Sequence, residues 1–154
     1  MGNVRLCGIL ALLAIGCGCS EEKSGTLADL NKRDVRLPDG TVIVCETMTQ
    51  KQEMMKGMMF RDKLPANQGM LFIHAAAAPV SYYMYQVKIP LDIVWMDRNH
   101  VIVEIAADAP ACSDGRQASQ CPHYGGSRPS QYVLEIGAGL AAKHGLRVGQ
   151  RLDW

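Results

Sequence analysis

The stretch LDIVWMDRNHVIVEIA, residues 91–106, carries the clearest structural signal in this chain of 154 residues. Two mostly apolar runs, 91–97 and 100–106, flank the dipeptide Arg98-Asn99, and a connection of two residues between such runs predicts a β-hairpin. A second hairpin is predicted in VRLPDGTVIVCET, residues 35–47, where Pro-Asp-Gly sets the turn. The fold is therefore expected to rest on short strands.

The rest of the chain continues this pattern of short elements. Three further strands are predicted, at residues 69–74, 80–87 and 131–136. The pair Thr49 and Gln52 has capping-box spacing and predicts a helix over about residues 50–56, ended by Gly57. The segment GAGLAAKHG predicts a second short helix, and AAAAP at 75–79 is interpreted as a linker. Regularly spaced strands with two brief helices predict a mostly-β domain, a small sandwich or barrel.

The N-terminal segment is expected to lie outside this domain. Residues 1–16 contain Arg5 and an apolar run too short to span a bilayer, which is typical of a signal peptide. The sequence AIGC ending at Cys17 resembles the bacterial lipobox, so we expect export and lipidation of Cys17. Simple secretion and an uncleaved anchor are the alternatives. Residues 17–34 are then a flexible tether, and residues 35–154 form the single domain.

Export would place the remaining cysteines in an oxidising compartment. Cys112 and Cys121 lie in one long loop, and a disulfide between them would close a short ring worth about 2–3 kcal/mol. Two free thiols, or a metal site formed with His123, are the alternatives. Cys45 lies in an apolar strand, where a free buried cysteine behaves as a small hydrophobic side chain.

Charge and motifs limit the classes of function. Sixteen basic and fifteen acidic residues nearly cancel, so no electrostatic footprint for nucleic acid is present. The membrane is expected as a partner only through the lipid at Cys17. A nucleophile elbow, a P-loop and a dinucleotide glycine pattern are all missing from the sequence, which favours a non-enzymatic protein without a cofactor.

Four segments together resemble the domain of unknown function 192 family, also called uncharacterised protein family 0127. They are GMMFRDKLPANQGMLFIH, YYMYQVKIPLDIVWMD, CPHYGGSRPSQYVLEIGAG and HGLRVGQRL. The resemblance covers about residues 35–154 and implies a small, mostly-β domain of sandwich or barrel type. The residues that match the family pattern are Gly57, Met59, Phe60, Arg61, Gly69, Met70, Phe72, Met84, Pro90, Leu91 and Asp92.

The chain departs from the family pattern in one segment. Where the family has Trp-Met-Lys-Asn-Thr, this sequence has Tyr83-Met84-Tyr85-Gln86-Val87. A surface site that depends on the Lys-Asn-Thr trio would therefore be altered here.

Arg61, Tyr83, Met84 and Asp92 are the candidate ligand-binding residues. Arg61 and Asp92 interrupt apolar segments, and a charge in such surroundings is costly unless it is paired. We expect an ion pair between them, or pairing with the backbone. The alternative is that Arg61 binds an anion at the mouth of a cleft. An exposed tyrosine in this segment could contact a sugar or a peptide.

Four methionines, Met54, Met55, Met58 and Met59, form the remaining candidate site. Thioether sulfur favours Cu(I), and helical spacing would bring some of these side chains together. Packing is the competing interpretation, because methionine fills irregular gaps in cores.

The leading hypothesis from the sequence is a non-enzymatic binding or accessory module, lipid-anchored in the bacterial cell envelope on its periplasmic or extracellular face. A Cu(I)-handling lipoprotein that uses the four methionines is the first alternative. An unrecognised enzyme with an Arg61 and Asp92 site is the second.

Overall fold

The computed structural model describes residues 31–154. The predicted signal peptide at 1–16, Cys17 and nearly all of the tether lie outside the described residues. The strands are β1 (Lys32–Arg36), β2 (Val42–Met48), β3 (Gln68–Tyr83), β4 (Leu91–Met96), β5 (Ile102–Ala109) and β6 (His123–Gly137). The helices are α1 (Lys51–Lys56), α2 (Leu140–Lys143) and a 3-10 turn at Ala118–Gln120. Strand β1 begins three residues before the predicted domain start at residue 35, so the end of the predicted tether is part of the sheet.

The prediction of a mostly-β domain with two short helices is confirmed. The strands form one open six-stranded sheet in the order β1-β2-β3-β6-β4-β5. Strands β2 and β3 are parallel and all other neighbours are antiparallel. A parallel pair needs a crossover connection, and the segment that contains α1 supplies it. None of the helices within residues 31–154 is long and apolar enough to cross a membrane.

Both predicted hairpins are confirmed, because β1 pairs with β2 and β4 pairs with β5. In the turn between β4 and β5, the Asp97 carboxylate accepts hydrogen bonds from the backbone N–H of Asn99 at 2.8 Å and of Val101 at 3.0 Å. Because these acceptors lie close to the turn in sequence, turns of this kind can be predicted from the sequence.

The N-cap of helix α1 lies one residue later than predicted. Gln50 is the N-cap residue, and its backbone N–H donates to Glu53 Oε2 at 3.4 Å. The predicted Thr49 and Gln52 capping pair is therefore wrong by one position. Gly57 ends the helix as predicted, with a positive φ of +44°, but its ψ of −128° lies outside the left-handed helical region expected of such a glycine.

The predicted linker at 75–79 is wrong. Strand β3 runs through it for 16 residues and pairs with the 15-residue strand β6 along its length. Register shifts between Ile73 and Ala78, and between Pro79 and Ser81, accommodate the alanines and the proline as irregularities in the ladder. Strand β6 begins at His123, within the segment expected to be a loop without a pattern.

The sheet carries a hydrophobic core on each of its faces. The aliphatic face contains Ile43, Leu71, Val94 and Leu134, and α2 packs against it through Leu140 and Ala141. The methionine face contains buried Met58, Met70 and Met84 with Phe72, Ile93, Trp95 and Val133. Side chains alternate between the two faces along a strand, and both faces of β4 are covered by a core. All six residues of β4 are therefore buried.

A disulfide joins Cys112 to Cys121. The loop that it closes is attached to the segment after β3, where the backbone N–H of Gln86 donates to Cys112 O at 2.9 Å and the N–H of Cys112 donates to Val87 O at 3.1 Å. Among residues 31–154 the free cysteine is Cys45, which is buried in the aliphatic core. Burial, with Asp34 nearby, raises the pKa of the Cys45 thiol to about 12, so this thiol stays protonated.

Candidate functional site

A pocket of about 330 Å³ lies on the methionine face, between α1 and the second half of β3. Its volume is in the range of small-molecule sites. Most of its wall is apolar and comes from Met54, Met55, Met58, Met59, Phe72, Tyr82 and Val87. The pocket opens to solvent beside Met55, whose side chain is 62% exposed. Polar atoms are few, and they come from the rim and from the sheet.

Close packing around Gly57 shapes one wall of the pocket. A Cβ on Gly57 would lie 3.3 Å from Phe72 Cζ, and the φ of +44° also disfavours other residues. The ring of Phe72 meets Tyr82 edge to face with centroids 5.0 Å apart. Tyr82 in turn meets Trp95 in the same manner at 6.2 Å. These rings hold one another in place and give the pocket a rigid aromatic side.

The polar group that Tyr82 meets is His74, with 3.0 Å between the tyrosine oxygen and His74 Nε2. Burial lowers the pKa of His74, so its imidazole is neutral near pH 7. Burial, and then the negative charge of Glu135, raises the pKa of Tyr82. Both groups are therefore uncharged hydrogen-bonding partners in the wall.

Glu135 reaches the pocket from the central strand β6. It lies opposite Met70 on β3 and Ile93 on β4, and only 5% of the residue is exposed. Within the described part of the chain, its Oε2 atom is buried without a hydrogen-bond partner. Burial raises the pKa of Glu135 to about 8, although the positive charge of Arg61 lowers it. The carboxyl group is therefore mostly protonated at pH 7.

Arg61 forms a two-point ion pair with Glu46, with Nη1 to Oε1 and Nη2 to Oε2 both at 2.6 Å. The pair is about one-third exposed on each side, and it lowers the pKa of Glu46. Glu46 faces Met70 across the β2–β3 ladder, so the pair lies on the same face as Glu135. Arg61 is therefore paired with a carboxylate of this chain, as a structural ion pair would be but with a different partner than Asp92, and the alternative of an anion-binding role has no support in this geometry.

Asp92 lies on the other face of the sheet, so the predicted ion pair between Arg61 and Asp92 is not formed. The Asp92 carboxylate accepts hydrogen bonds from the backbone N–H of Asp108 at 2.8 Å and of Ala141 at 2.7 Å. The predicted alternative, pairing with the backbone, describes it correctly. Asp92 ties β5 and the start of α2 to the sheet, and this role is structural.

The structure separates the other two candidate residues. Tyr83 lines the pocket, and its ring stacks on Tyr85 at 6.2 Å and on His123 at 5.6 Å. Met84 is fully buried in the core of the methionine face and has no surface for a ligand. Of Arg61, Tyr83, Met84 and Asp92, therefore, only Tyr83 lines the pocket.

All four methionines singled out in the sequence line this pocket. Met58 is 1% exposed and belongs to the core, while Met54 and Met59 are half-buried against it. Among residues 31–154, no group of three or more His, Cys, Asp and Glu side chains is placed to hold a metal ion. A metal in this pocket would therefore depend on the thioethers, with His74 as the nearby nitrogen ligand.

Glu135 is the pocket residue that the sequence interpretation missed. The segment YVLEIG has the same signal that singled out Asp92, an acid inside an apolar run. Alternation along the strand would also have placed Glu135 on the same face as Val133. Such an acid is costly to bury, so it either is held by hydrogen bonds of the fold, as Asp92 is, or is a candidate site residue, as Glu135 is.

The comparisons with known proteins agree with this fold. The family model DUF192, described as "Uncharacterized ACR", matches residues 35–154. A crystal structure of a protein of unknown function from Novosphingobium aromaticivorans is similar, with 28% identity, coverage of 80% of this chain and 85% of that chain, and a TM-score of 0.68. No curated protein matches the chain significantly.

A second crystal structure is also similar. It is of a protein from Sinorhizobium meliloti described as a candidate transcription regulator, with 27% identity, coverage of 79% of this chain and 92% of that chain, and a TM-score of 0.70.

Proposed function

The chain belongs to the DUF192 family, a family without a known activity, and we propose that it is a non-enzymatic binding module that takes a small, mostly apolar ligand into the pocket on the methionine face. The observation that carries this proposal is Glu135, a buried carboxyl with an unpartnered oxygen in an apolar pocket. An acid buried in this way destabilises a fold, so its position is better explained by a ligand than by packing.

The arrangement of the pocket supports binding rather than a reaction. The wall is mainly thioether and aromatic, and the imidazole of His74 is neutral and engaged with Tyr82. The alternative of an enzyme that uses Arg61 and Asp92 has no geometric support, because the two side chains lie on opposite faces of the sheet. The transcription-regulator description of the Sinorhizobium protein is not carried over, since the charges of this chain nearly cancel.

Ethylbenzene is a suitable first probe, because it is apolar and carries no hydrogen-bonding group. With methionine methyl groups labelled for NMR, we expect saturable shifts at Met54, Met55, Met58 and Met59. The methyl group of Met96, which lies in the aliphatic core, should stay unchanged.

Two matched variants test whether the pocket itself is responsible. Ser81→Trp places a large ring on the pocket wall and should abolish the shifts. Val148→Trp adds the same ring at an exposed position that does not line the pocket and should leave them intact. The proposal fails if ethylbenzene shifts all methionines alike, or if Ser81→Trp binds as the wild type does.

We further propose that the domain is held in the bacterial envelope by a lipid on Cys17. The support is the lipobox-like AIGC sequence after a short apolar segment. The full chain, expressed in bacteria with radiolabelled palmitate, should incorporate label, and Cys17→Ser should not. Cys19→Ser is the matched control and should be labelled normally. Labelling that persists in Cys17→Ser would contradict the anchor.

Cu(I) handling is the second candidate, because Met54, Met55, Met58 and Met59 line one pocket beside His74. Anaerobic titration with Cu(I) against a chromophoric competitor tests it. Replacement of all four methionines by leucine should then remove tight binding, while Met96→Leu should not. Equal Cu(I) affinity in the wild type and the fourfold variant would exclude a thioether site.

A further inference from the structure

Resting on the proposed binding function, we infer that the pocket selects an uncharged ligand whose apolar body carries a hydrogen-bond acceptor, such as a ketone or amide carbonyl, at its buried end. Glu135 donates the hydrogen bond to that acceptor. The ligand class is thus a neutral carbonyl compound, as opposed to a hydrocarbon, an amine or a carboxylate.

The first support is the contrast between two buried acids. Asp92 has both carboxylate oxygens filled by backbone N–H groups. Glu135 is also buried, but its Oε2 has no partner among residues 31–154 and the residue borders the pocket. A polar atom left unpaired inside a protein points to a missing partner, and here the missing partner has to enter the pocket.

The surrounding charges indicate whether the ligand group that meets Glu135 is cationic, anionic or neutral. Lys51 and Lys56 lie on the rim, and the positive charge of Arg61 acts on Glu135. An ammonium group entering the pocket would pass the two rim lysines and add a third positive charge beside them. A carboxylate at the buried end would have to be desolvated away from the exposed rim lysines, because Arg61 is paired with Glu46 and does not line the pocket. A neutral acceptor avoids both costs.

The protonation state of Glu135 fits a donor. Burial raises its pKa to about 8, so the O–H form dominates at neutral pH. Its direct neighbours on the flanking strands, Met70 and Ile93, do not titrate. The titratable groups that line the pocket or act on Glu135 are Lys51, Lys56, Arg61, His74, Tyr82 and Tyr83. Donation should therefore weaken as the pH rises through the pKa of Glu135.

Three probes with one carbon skeleton test the inference: ethylbenzene, acetophenone and 1-phenylethylamine. At pH 6 acetophenone should bind about five-fold more tightly than ethylbenzene, as one net hydrogen bond would give. The amine should bind more weakly than either. Affinities are taken from the methyl shifts of the pocket methionines, with Met96 as the reference for an intact fold.

Two substitutions separate hydrogen bonding from packing. Glu135→Leu removes the donor, and the preference for acetophenone should fall to about one. Glu135→Gln keeps an N–H donor that does not ionise, so the preference should remain and should no longer decline between pH 7 and 9. Glu104→Leu, at an acid that bonds Ser127 away from the pocket, should behave as the wild type.

The possible outcomes separate the preference for a neutral acceptor from ligand binding itself. Equal binding of acetophenone and ethylbenzene in the wild type would overturn the inference and leave the apolar pocket standing. Tighter binding of the amine, increasing with pH, would assign the site to cations instead. Failure of every probe to reach the pocket methionines would overturn the proposed function, and the inference with it.

Discussion

Asp92 and Glu135 are buried acids on paired strands, and their carboxyl groups point to opposite faces of the same sheet. Asp92 lies opposite Ile136, and Glu135 lies opposite Ile93, so the two acids are one step apart in the ladder. One acid meets two backbone donors on the aliphatic face, and the other meets an apolar pocket on the methionine face. A buried carboxyl group therefore holds β5 and α2 to the sheet on one face, and belongs to a candidate binding site on the other face.

Asp92→Asn should destabilise the domain by about 2–4 kcal/mol, because the amide nitrogen would face a backbone N–H donor and the charge-assisted bonds would be lost. Urea unfolding monitored by circular dichroism measures the change. Asp62→Asn is the control. Asp62 is 81% exposed in its pair with Lys88, and its loss should cost less than about 1 kcal/mol. A small effect at Asp92 would show that α2 is not held through this side chain.

Glu135→Gln should become progressively more stable than the wild type as the pH rises from about 5 to 8. The folded-state pKa of about 8 lies above the unfolded value, so the folded wild type binds more protons and loses stability with rising pH in this window. The slope approaches about 1.4 kcal/mol per pH unit for one proton. Below pH 4 the difference in stability between the two proteins should no longer change with pH.

The quantity to measure is the difference in free energy of unfolding between the wild type and Glu135→Gln at each pH. Other groups cancel in that difference, including Glu46 and Asp39, whose lowered pKa values affect stability at acidic pH. A difference that does not vary with pH would mean that Glu135 ionises as an ordinary exposed acid does.

Arg61→Gln should raise the pKa of Glu135 further above its ordinary range, because the guanidinium is the positive charge that opposes the effect of burial. Carbon-13 NMR titration of the glutamate side chains measures this directly. Arg116→Gln removes a guanidinium from an exposed pair with Asp114 and should leave the titration of Glu135 unchanged. A downward shift in Arg61→Gln would contradict the assigned charge interaction.

Replacing Cys112 and Cys121 together by alanine should lower the free energy of unfolding by about 2–3 kcal/mol, from the loss of one short covalent ring. It should also perturb the NMR signals of Val87, a residue that lines the pocket, because the backbone N–H of Cys112 donates a hydrogen bond to the Val87 carbonyl. Reduction of the wild type should reproduce both effects and should not alter the double variant. Unchanged Val87 signals would show that this wall holds its shape without the disulfide.

The hairpins were predictable because their signals are local. The turn between β4 and β5 is held by Asp97 and its neighbours, all within a few residues. Helix α1 was predicted with its cap misplaced by one residue, because Thr49 is of a residue type that is common at N-caps, whereas Gln50 occupies the N-cap with Glu53 three residues later. Element type follows from such patterns more reliably than element boundaries do.

The pairing of β3 with β6 was not predictable from the local pattern. The alanines at 75–78 have little intrinsic strand preference, and Ala78 pairs with Ser130, which is distant in sequence. The second half of β3 forms one side of the pocket. Because this pairing was missed, the sequence did not predict that Tyr82 and Tyr83 line one pocket with Met54 and Met55 of α1.

The two faces of the sheet differ in how they respond to a change of shape. Among residues 31–154, six methionines pack in or against the core on the pocket side, whereas the opposite core contains one, Met96, and consists mainly of branched aliphatic residues. Methionine has three rotatable bonds and a polarizable sulfur, so its side chains can re-form around different contours at small cost. The aliphatic core would then keep the sheet rigid. On the pocket side, the methionine side chains would adjust to ligands of different shape, while the carboxyl of Glu135 stays fixed on the sheet.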